Sequence, residues 1–292
     1  MGTYSKKRYF SSDVYVYEFN PREETVDLDW GTPGKKEKLS TLGKCSPDEE
    51  ITSKINAGFF GGTYDSIGLY VDEGLFYQIS NKQFANAILT KDFKLIYDAA
   101  ESLDRIAYWQ KNAFWAFGTS WTLVIDGKKN YTISTVDINK FGHAYSRNPR
   151  TMIGQKTNGN ILFVVVDGRR LTSLGVTASQ SADIMISLGC VIAFNNDGGG
   201  SSQMIVNGAT VNKPSDGSPR SIGSCLYTKR KRPTGVFYTV TASVLNVRKG
   251  PGTSYPVVST YRRSQSVMVV ETKAGWARTS DGWCSLSYLQ LK

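Results

Sequence analysis

The sequence predicts an α+β fold, in which a mixed β-sheet domain with few helices is followed by a small all-β module. Three observations carry this. Ile161–Val166 is an unbroken apolar run, as in a strand covered on both faces. A helical pattern and a second apolar strand follow it within about 30 residues, the size of a parallel βαβ unit. Short runs rich in β-branched and aromatic residues, separated by turn signals, occupy both ends of the chain. At 292 residues there is room for one large domain and one small one.

In chain order, Val14–Phe19 alternates like a strand, and Thr25–Trp30 is expected to pair with it. Gly31–Lys36 reads as a loop. Asn56 opens Asn56-Ala57-Gly58-Phe59-Phe60, where a buried amide must either brace a loop or face a ligand. Ile67–Val71, Leu75–Ile79, Ala87–Leu89 and Lys94–Tyr97 form an expected antiparallel meander. Trp121–Ile125 and Tyr131–Ser134 flank Asp126-Gly127-Lys128-Lys129, a hairpin signal.

The central unit is the most informative. Its first strand, Ile161–Val166, ends at Asp167. Thr177-Ala178-Ser179-Gln180 has the capping-box pattern, and Ala178, Ala182, Met185 and Leu188 follow at helical spacing until Gly189 stops the helix. Val191–Asn195 is the second strand, and it leads into Asp197-Gly198-Gly199-Gly200-Ser201-Ser202. Parallel strands deliver their C-terminal ends to one edge of a sheet, about 5 Å per strand step apart. Asp167 and Asp197 should therefore share that edge, where glycine-rich turns often meet ligands. A plain hairpin turn is the competing reading of the glycines. A nucleotide loop is disfavoured, because the glycines lead into a strand rather than a helix and no Gly-Lys-Ser/Thr is present. Arg150, Arg169 and Arg220 stand at the ends of runs, and planar guanidinium groups suit phosphate oxygens.

Composition removes other classes. No apolar run reaches the roughly 18 residues of a membrane span, so no membrane insertion is expected. The N-terminus lacks a signal-peptide core. Four scattered cysteines do not make a zinc pattern, and one histidine, His143, excludes chemistry that needs several imidazoles. The formal net charge of +10 points to an anionic partner.

The series Asn56-Ala57-Gly58-Phe59-Phe60, Pro149-Arg150-Thr151-Met152-Ile153-Gly154, Asp167-Gly168-Arg169, Asp197 to Ser202 and Asn212…Asp216…Arg220 resembles that of the phosphodiester glycosidase family, in order and spacing, over residues 10–228. The resemblance implies hydrolysis of a sugar joined through its anomeric oxygen to a phosphodiester. Asp197 and Asp167 would then be the catalytic carboxylates, since the transition state has oxocarbenium character. Arg150, Arg169 and Arg220 would hold phosphate, with the turn amides of Gly198, Gly199, Gly200 and Ser201 and the Ser202 hydroxyl adding hydrogen bonds. Asn56, Asn212 and Asp216 would hold the sugar or brace the loops. The leaving phosphate needs little protonation, because its second pKa is near ~6. No cofactor is required, although a calcium or magnesium ion on Asp167 or Asp197 is an open alternative. Should the two carboxylates lie on adjacent strands, the short gap favours retention; one intervening strand favours inversion. The family usually has a glutamate where this chain has Gln180.

Lys229–Gly235 is rich in basic residues and reads as an exposed linker, with domain boundaries at 1–228, 229–236 and 237–292. The last segment resembles bacterial SH3-like domains through Leu245-Asn246-Val247-Arg248-Lys249-Gly250-Pro251-Gly252. Such modules tether enzymes to cell walls, which makes Trp276, Trp283 and Tyr288 candidate wall-binding residues; at least one tryptophan is expected in the barrel core. The combined reading is a glycosidase acting on a bacterial cell-wall glycopolymer rather than on nucleic acid. Its absent signal peptide suits a phage-encoded protein released by a holin or carried on the virion. A non-catalytic wall-glycan binder is the alternative.

Overall fold

The computed structural model describes residues 2–32, 35, 37–61, 68–72, 75–78, 85–98, 102–119, 121–130, 143–231 and 235–292. The chain divides into two compact units, one ending at Arg230 and the other starting at Lys231.

The larger unit is built on a seven-stranded sheet. Its order is Thr3–Tyr9, Ser12–Phe19, Ile161–Val166, Arg150–Lys156, Cys190–Asn195, Trp121–Ile125 and Lys128–Lys129. Arg150–Lys156 runs antiparallel to both Ile161–Val166 and Cys190–Asn195, so those two strands are parallel with one strand between them. Every residue of Ile161–Val166 is buried. Ile161, Phe163 and Val165 point to one core, with Tyr15, Tyr17 and Phe19 from the neighbouring strand. Leu162, Val164 and Val166 point to the other, against Ala178, Ala182, Ile184 and Met185 of the helix Ala178–Ser187. The first core is closed by two further five-stranded sheets, which contribute Val26, Leu28, Ile55 and Leu226, and Tyr70, Leu89, Trp115 and Phe117.

The Thr177 hydroxyl accepts from Gln180 N at 3.2 Å and Gln180 Oε1 accepts from Thr177 N at 3.1 Å, which is the expected capping box. The helix stops before Gly189, as its sequence requires.

Other expectations need correction. Ser12–Phe19 pairs with Thr3–Tyr9 and Ile161–Val166, not with Thr25–Asp29. The reason is burial: it carries apolar side chains on both faces and needs a place inside a covered sheet. Thr25–Asp29 pairs with Cys225–Lys231 in a separate sheet. The expected meander is two hairpins, Tyr70–Asp72 with Leu75–Gln78 and Ala85–Thr90 with Leu95–Asp98, joined by the intervening strand Ala113–Thr119. A helix, Leu103–Asn112, precedes that strand. The hairpin at Asp126-Gly127 forms, but its returning strand is Lys128–Lys129, and Tyr131–Ser134 lies outside the described residues. So do Pro33, Gly34 and Lys36 of the expected loop, and Ile67.

The basic segment is not wholly a linker. Lys229, Arg230 and Lys231 end the strand Cys225–Lys231, with Lys229 Nζ at 2.7 Å from Asp27 and Arg230 Nη2 at 2.6 Å from Glu50. Arg232, Pro233 and Thr234 lie outside the described residues.

The smaller unit has a three-stranded and a five-stranded sheet around a core of Val240, Leu245, Val247, Tyr261, Val267, Val269, Ala277 and Cys284. Neither Trp276 nor Trp283 belongs to that core; both are half-buried at its edge. The core is already filled by Tyr261, Leu245 and smaller aliphatic side chains.

Candidate active site

The two parallel strands deliver Asp167 and Asp197 to one sheet edge, and a cleft of about 210 Å³ opens beside Asp197. Phe59, Trp121, His143, Asn148, Arg150, Arg169, Asn195, Asp197, Gly198, Gly199, Gly200 and Arg220 line it.

The turn that carries Asp197 is held from behind. Asp197 N donates to Ala57 O at 3.0 Å, and the Asn56 amide donates to Asp197 O at 2.7 Å. Gly199 N donates to Pro149 O at 3.0 Å, which brings the turn against the start of Arg150–Lys156. Gly199 has φ +61, a left-handed conformation that favours glycine, and Gly200 lies under the Asp216 carboxylate, where a Cβ would force that exposed side chain to move. A 3₁₀ turn over Gly199–Ser201 follows, and the Ser201 hydroxyl accepts from Arg220 Nε at 3.1 Å.

Asp197 is 9% exposed. Burial raises its pKa to about 6, opposed by the Ser201 hydroxyl, the Arg220 charge and the amide of Gly198. Gly198 N donates to Asp197 Oδ1 at 2.8 Å.

Three guanidinium groups face the same space. Arg150 is 3% exposed, and carbonyls hold it: Nε donates to Val176 O at 3.1 Å, and Nη2 to His143 O at 2.6 Å and Ser146 O at 3.1 Å. Its cation lies 5.3 Å from the Trp121 ring centroid. Burial, then the like charge of Arg169, push Arg150 down to about 10, so it stays charged at neutral pH. Arg169 donates to Asn148 Oδ1 from Nε at 3.2 Å and Nη2 at 3.0 Å. Arg220 lies over Phe60 and donates to the Ser201 hydroxyl, with Asp216 at 3.9 Å. Among the described residues the Nη1 groups of Arg150 and Arg169 have no protein acceptor, which leaves them to a ligand.

Asp167 is placed differently. It is 2% exposed and does not line the cleft. Its carboxylate accepts from Tyr15 OH at 3.0 Å, from Asn212 Nδ2 at 3.1 Å and from Lys213 N at 3.0 Å. Asn212 Oδ1 in turn accepts from Met204 N at 2.8 Å. Asn56 is buried too, its Oδ1 accepting from Thr151 Oγ1 at 2.7 Å and Gln203 N at 3.2 Å. Asp167, Asn56 and Asn212 therefore brace loops. Ser202 is buried behind the turn.

The alternative of a calcium or magnesium ion on Asp167 or Asp197 meets an unfavourable donor set. The Asp167 lone pairs are taken by three donors, and Asp197 shares its cleft with three arginines. Among the described residues no three His, Cys, Asp or Glu side chains gather in a metal-binding cluster.

The sequence and the fold are matched by known proteins. The model for "Phosphodiester glycosidase" matches residues 49–229, more than half of the chain. The chain belongs to the phosphodiester glycosidase family. The bacterial SH3 domain model matches residues 243–290. Among curated proteins, the chain is 29% identical over 231 residues to the SPbeta prophage-derived uncharacterized protein YomE of Bacillus subtilis, covering 77% of this chain and 34% of that protein. It is 30% identical over 94 residues to the N-acetylglucosamine-1-phosphodiester alpha-N-acetylglucosaminidase of Bos taurus, covering 32% of this chain and 17% of that protein. The chain thus spans a minor part of either relative's length. Among solved structures, the catalytic domain of the zebrafish N-acetylglucosamine-1-phosphodiester alpha-N-acetylglucosaminidase, auto-inhibited by its pro-peptide, has TM-score 0.63 at 22% identity, covering 80% of this chain and 83% of that one. A hypothetical protein from Synechocystis has TM-score 0.64 at 12% identity, covering 79% and 62%. These last two share the fold.

Within this phosphodiester glycosidase domain, Gln180 lies in the helix cap and outside the cleft. Trp121, His143, Asn148 and Asn195 line the cleft from outside the motif series, and Phe59 from within it. Asn195 ends its strand two residues before Asp197, and Trp121 pairs across from it, so strand register was the signal that could have found both. In the SH3 domain, Tyr288 is 50% exposed while Trp276 and Trp283 are half-buried.

Proposed function

We propose that this protein hydrolyses the bond between a sugar's anomeric carbon and the oxygen of a phosphodiester, within a bacterial cell-wall or surface glycopolymer. One observation carries the reading: a single buried carboxylate, Asp197, shares a cleft with Arg150, Arg169 and Arg220. Three cations suit an anionic substrate, and one carboxylate suits a developing oxocarbenium ion. Asp197 acts beside the anomeric carbon, activating water in its ionised form. The arginines hold the phosphate and stabilise the charge it gains as it leaves, and that leaving group needs little acid catalysis. Asp167 braces the loop that carries Asn212, so the carboxylate-gap criterion for retention does not apply to this pair.

Hydrolysis of a sugar-1-phosphodiester in ¹⁸O-labelled water tests the bond cleaved. Label should enter the released sugar and leave the phosphate product unlabelled; label in the phosphate would make the protein a phosphodiesterase. The wall substrate rests on the SH3 domain and on the prophage origin of one relative. Removing residues 231–292 should spare turnover of a small soluble substrate and weaken action on whole walls about tenfold or more, because tethering raises local concentration. Equal loss on both would count against a tether.

A further inference from the structure

Arg169 has φ +57, in the left-handed region that residues with long side chains rarely adopt. A backbone of this kind persists only where its surroundings hold it, and such positions cluster at ligand clamps. Here the holder is Asn148, which is 8% exposed. Its Oδ1 accepts from Arg169 Nε at 3.2 Å and from Nη2 at 3.0 Å, so one neutral oxygen takes the inner edge of the guanidinium. The face of the guanidinium lies on Gly199, where a Cβ would stand 3.1 Å from Nη2 and 3.5 Å from Cζ and Nη1. One edge and one face are thus fixed, and Nη1 is left for a ligand in the cleft that Arg169 lines.

Asn148 is itself locked. Its Nδ2 donates to Ser146 Oγ at 2.7 Å and to Ser146 O at 3.3 Å, which decides that the oxygen end of the amide turns to Arg169. Its backbone makes a two-way bridge, with Asn148 N donating to Val176 O at 3.1 Å and Val176 N to Asn148 O at 3.0 Å. The same Ser146 carbonyl accepts from Arg150 Nη2 at 3.1 Å, so one short strap sets two of the three cleft arginines. We infer that Asn148 is a positioning residue that aims Arg169 at the substrate's phosphate without neutralising it. A carboxylate at this place could make the same fork but would pair with the cation and leave less charge for the anion. The inference rests on the reading of the cleft arginines as the phosphate holders.

The test is the binding of inorganic phosphate to the full chain, measured by calorimetry in a double-mutant cycle of Asn148→Ala and Arg169→Gln. Arg150 and Arg220 keep binding measurable when Arg169 is replaced. In the wild-type background Asn148→Ala should weaken phosphate about fivefold; in the Arg169→Gln background it should change binding less than about twofold. A residue that only supports the fold would lower both alike, so equal losses would overturn the inference, as would no loss in the wild-type background. Asn148→Asp gives a second reading and carries the test should Asn148→Ala not fold. It keeps the acceptor for Arg169 but adds a charge, so phosphate should weaken about tenfold or more at low salt, and the loss should shrink as salt rises. Unchanged binding in Asn148→Asp would overturn the inference, and so would a wild-type chain that binds no phosphate. Because binding is read without turnover, a lack of activity on sugar phosphodiesters would sink the proposed reaction and leave this result standing.

Discussion

The turn after Ile161–Val166 and the turn after Cys190–Asn195 leave the same edge of one sheet, separated by a single strand. Each carries, within two residues of its strand, an aspartate that is almost wholly buried, and burial raises the pKa of both. Their surroundings differ in what fills the lone pairs. Asp167 is met by a phenol, a side-chain amide and a backbone amide, and it ties the first strand to the segment around Asn212. Asp197 is met by one backbone amide, and the rest of its surface looks into a cleft of arginines. Position in the fold therefore does not separate a reacting acid from a structural one; donor count does. A carboxylate saturated with donors has no lone pair to offer a water or an anomeric carbon.

The comparison breaks most visibly in rate. Asp197→Asn should lower kcat by about 10²-fold or more with the fold intact, since general-base work alone is worth that much. Asp167→Asn should cost less than tenfold. Steady-state kinetics with circular dichroism on both variants would reverse the assignment if Asp167→Asn proved the more damaging.

Stability should respond in the opposite sense. Asp167→Ala leaves the Tyr15 hydroxyl, the Asn212 amide and Lys213 N without their acceptor, which costs about 2 kcal/mol in urea unfolding. Asp197→Asn should instead stabilise the protein at neutral pH. A carboxyl whose pKa is about 6 folded, against 3.8 ordinarily, favours the folded state most at low pH. It loses that contribution as pH rises through about 6. Replacement by neutral Asn should then gain about 3 kcal/mol at pH 8 and little at pH 4. A constant difference at both pH values would show that the site does not perturb Asp197.

The smallest expected effect is on the helix that joins the two turns. Gln180→Glu retains the capping box and should change stability by only a few tenths of a kcal/mol, with turnover unchanged. A large jump in rate would show that the glutamate usual in this family is chemical.

How much of this was legible follows from what local sequence can encode. The continuous run at Ile161–Val166, the capping box at Thr177 and the stop at Gly189 depend on neighbours within a few residues, and they read correctly. The pairing of Ser12–Phe19 with a strand about 145 residues away is non-local and did not. Thr3–Tyr9, a polar and exposed edge strand, carries no apolar alternation to betray it. Lys229–Lys231 looked like a solvated linker because their acidic partners, Asp27 and Glu50, are distant in sequence. At the site, the glycine turn and the arginines were visible as motifs. That Asp167 turns inward was not, and for Asn56 and Asn212 the choice between bracing a loop and facing a ligand stayed open, because motif spacing does not say how many donors a side chain will meet.

Arg150 is fixed in its place by carbonyl oxygens and, among the described residues, by no carboxylate. Its charge is thus left for the anion in the cleft, and that bears on what happens after the bond breaks. A diester brings one negative charge, whereas the monoester left behind carries about −1.5 to −2 at neutral pH. The cage should grip what it has made harder than what it is given. Progress curves on a dense polymer should bend early as freshly cut phosphate ends compete with intact repeats, and recover on dilution. Such self-limitation would confine a wall-anchored copy to a few cuts around its own tether.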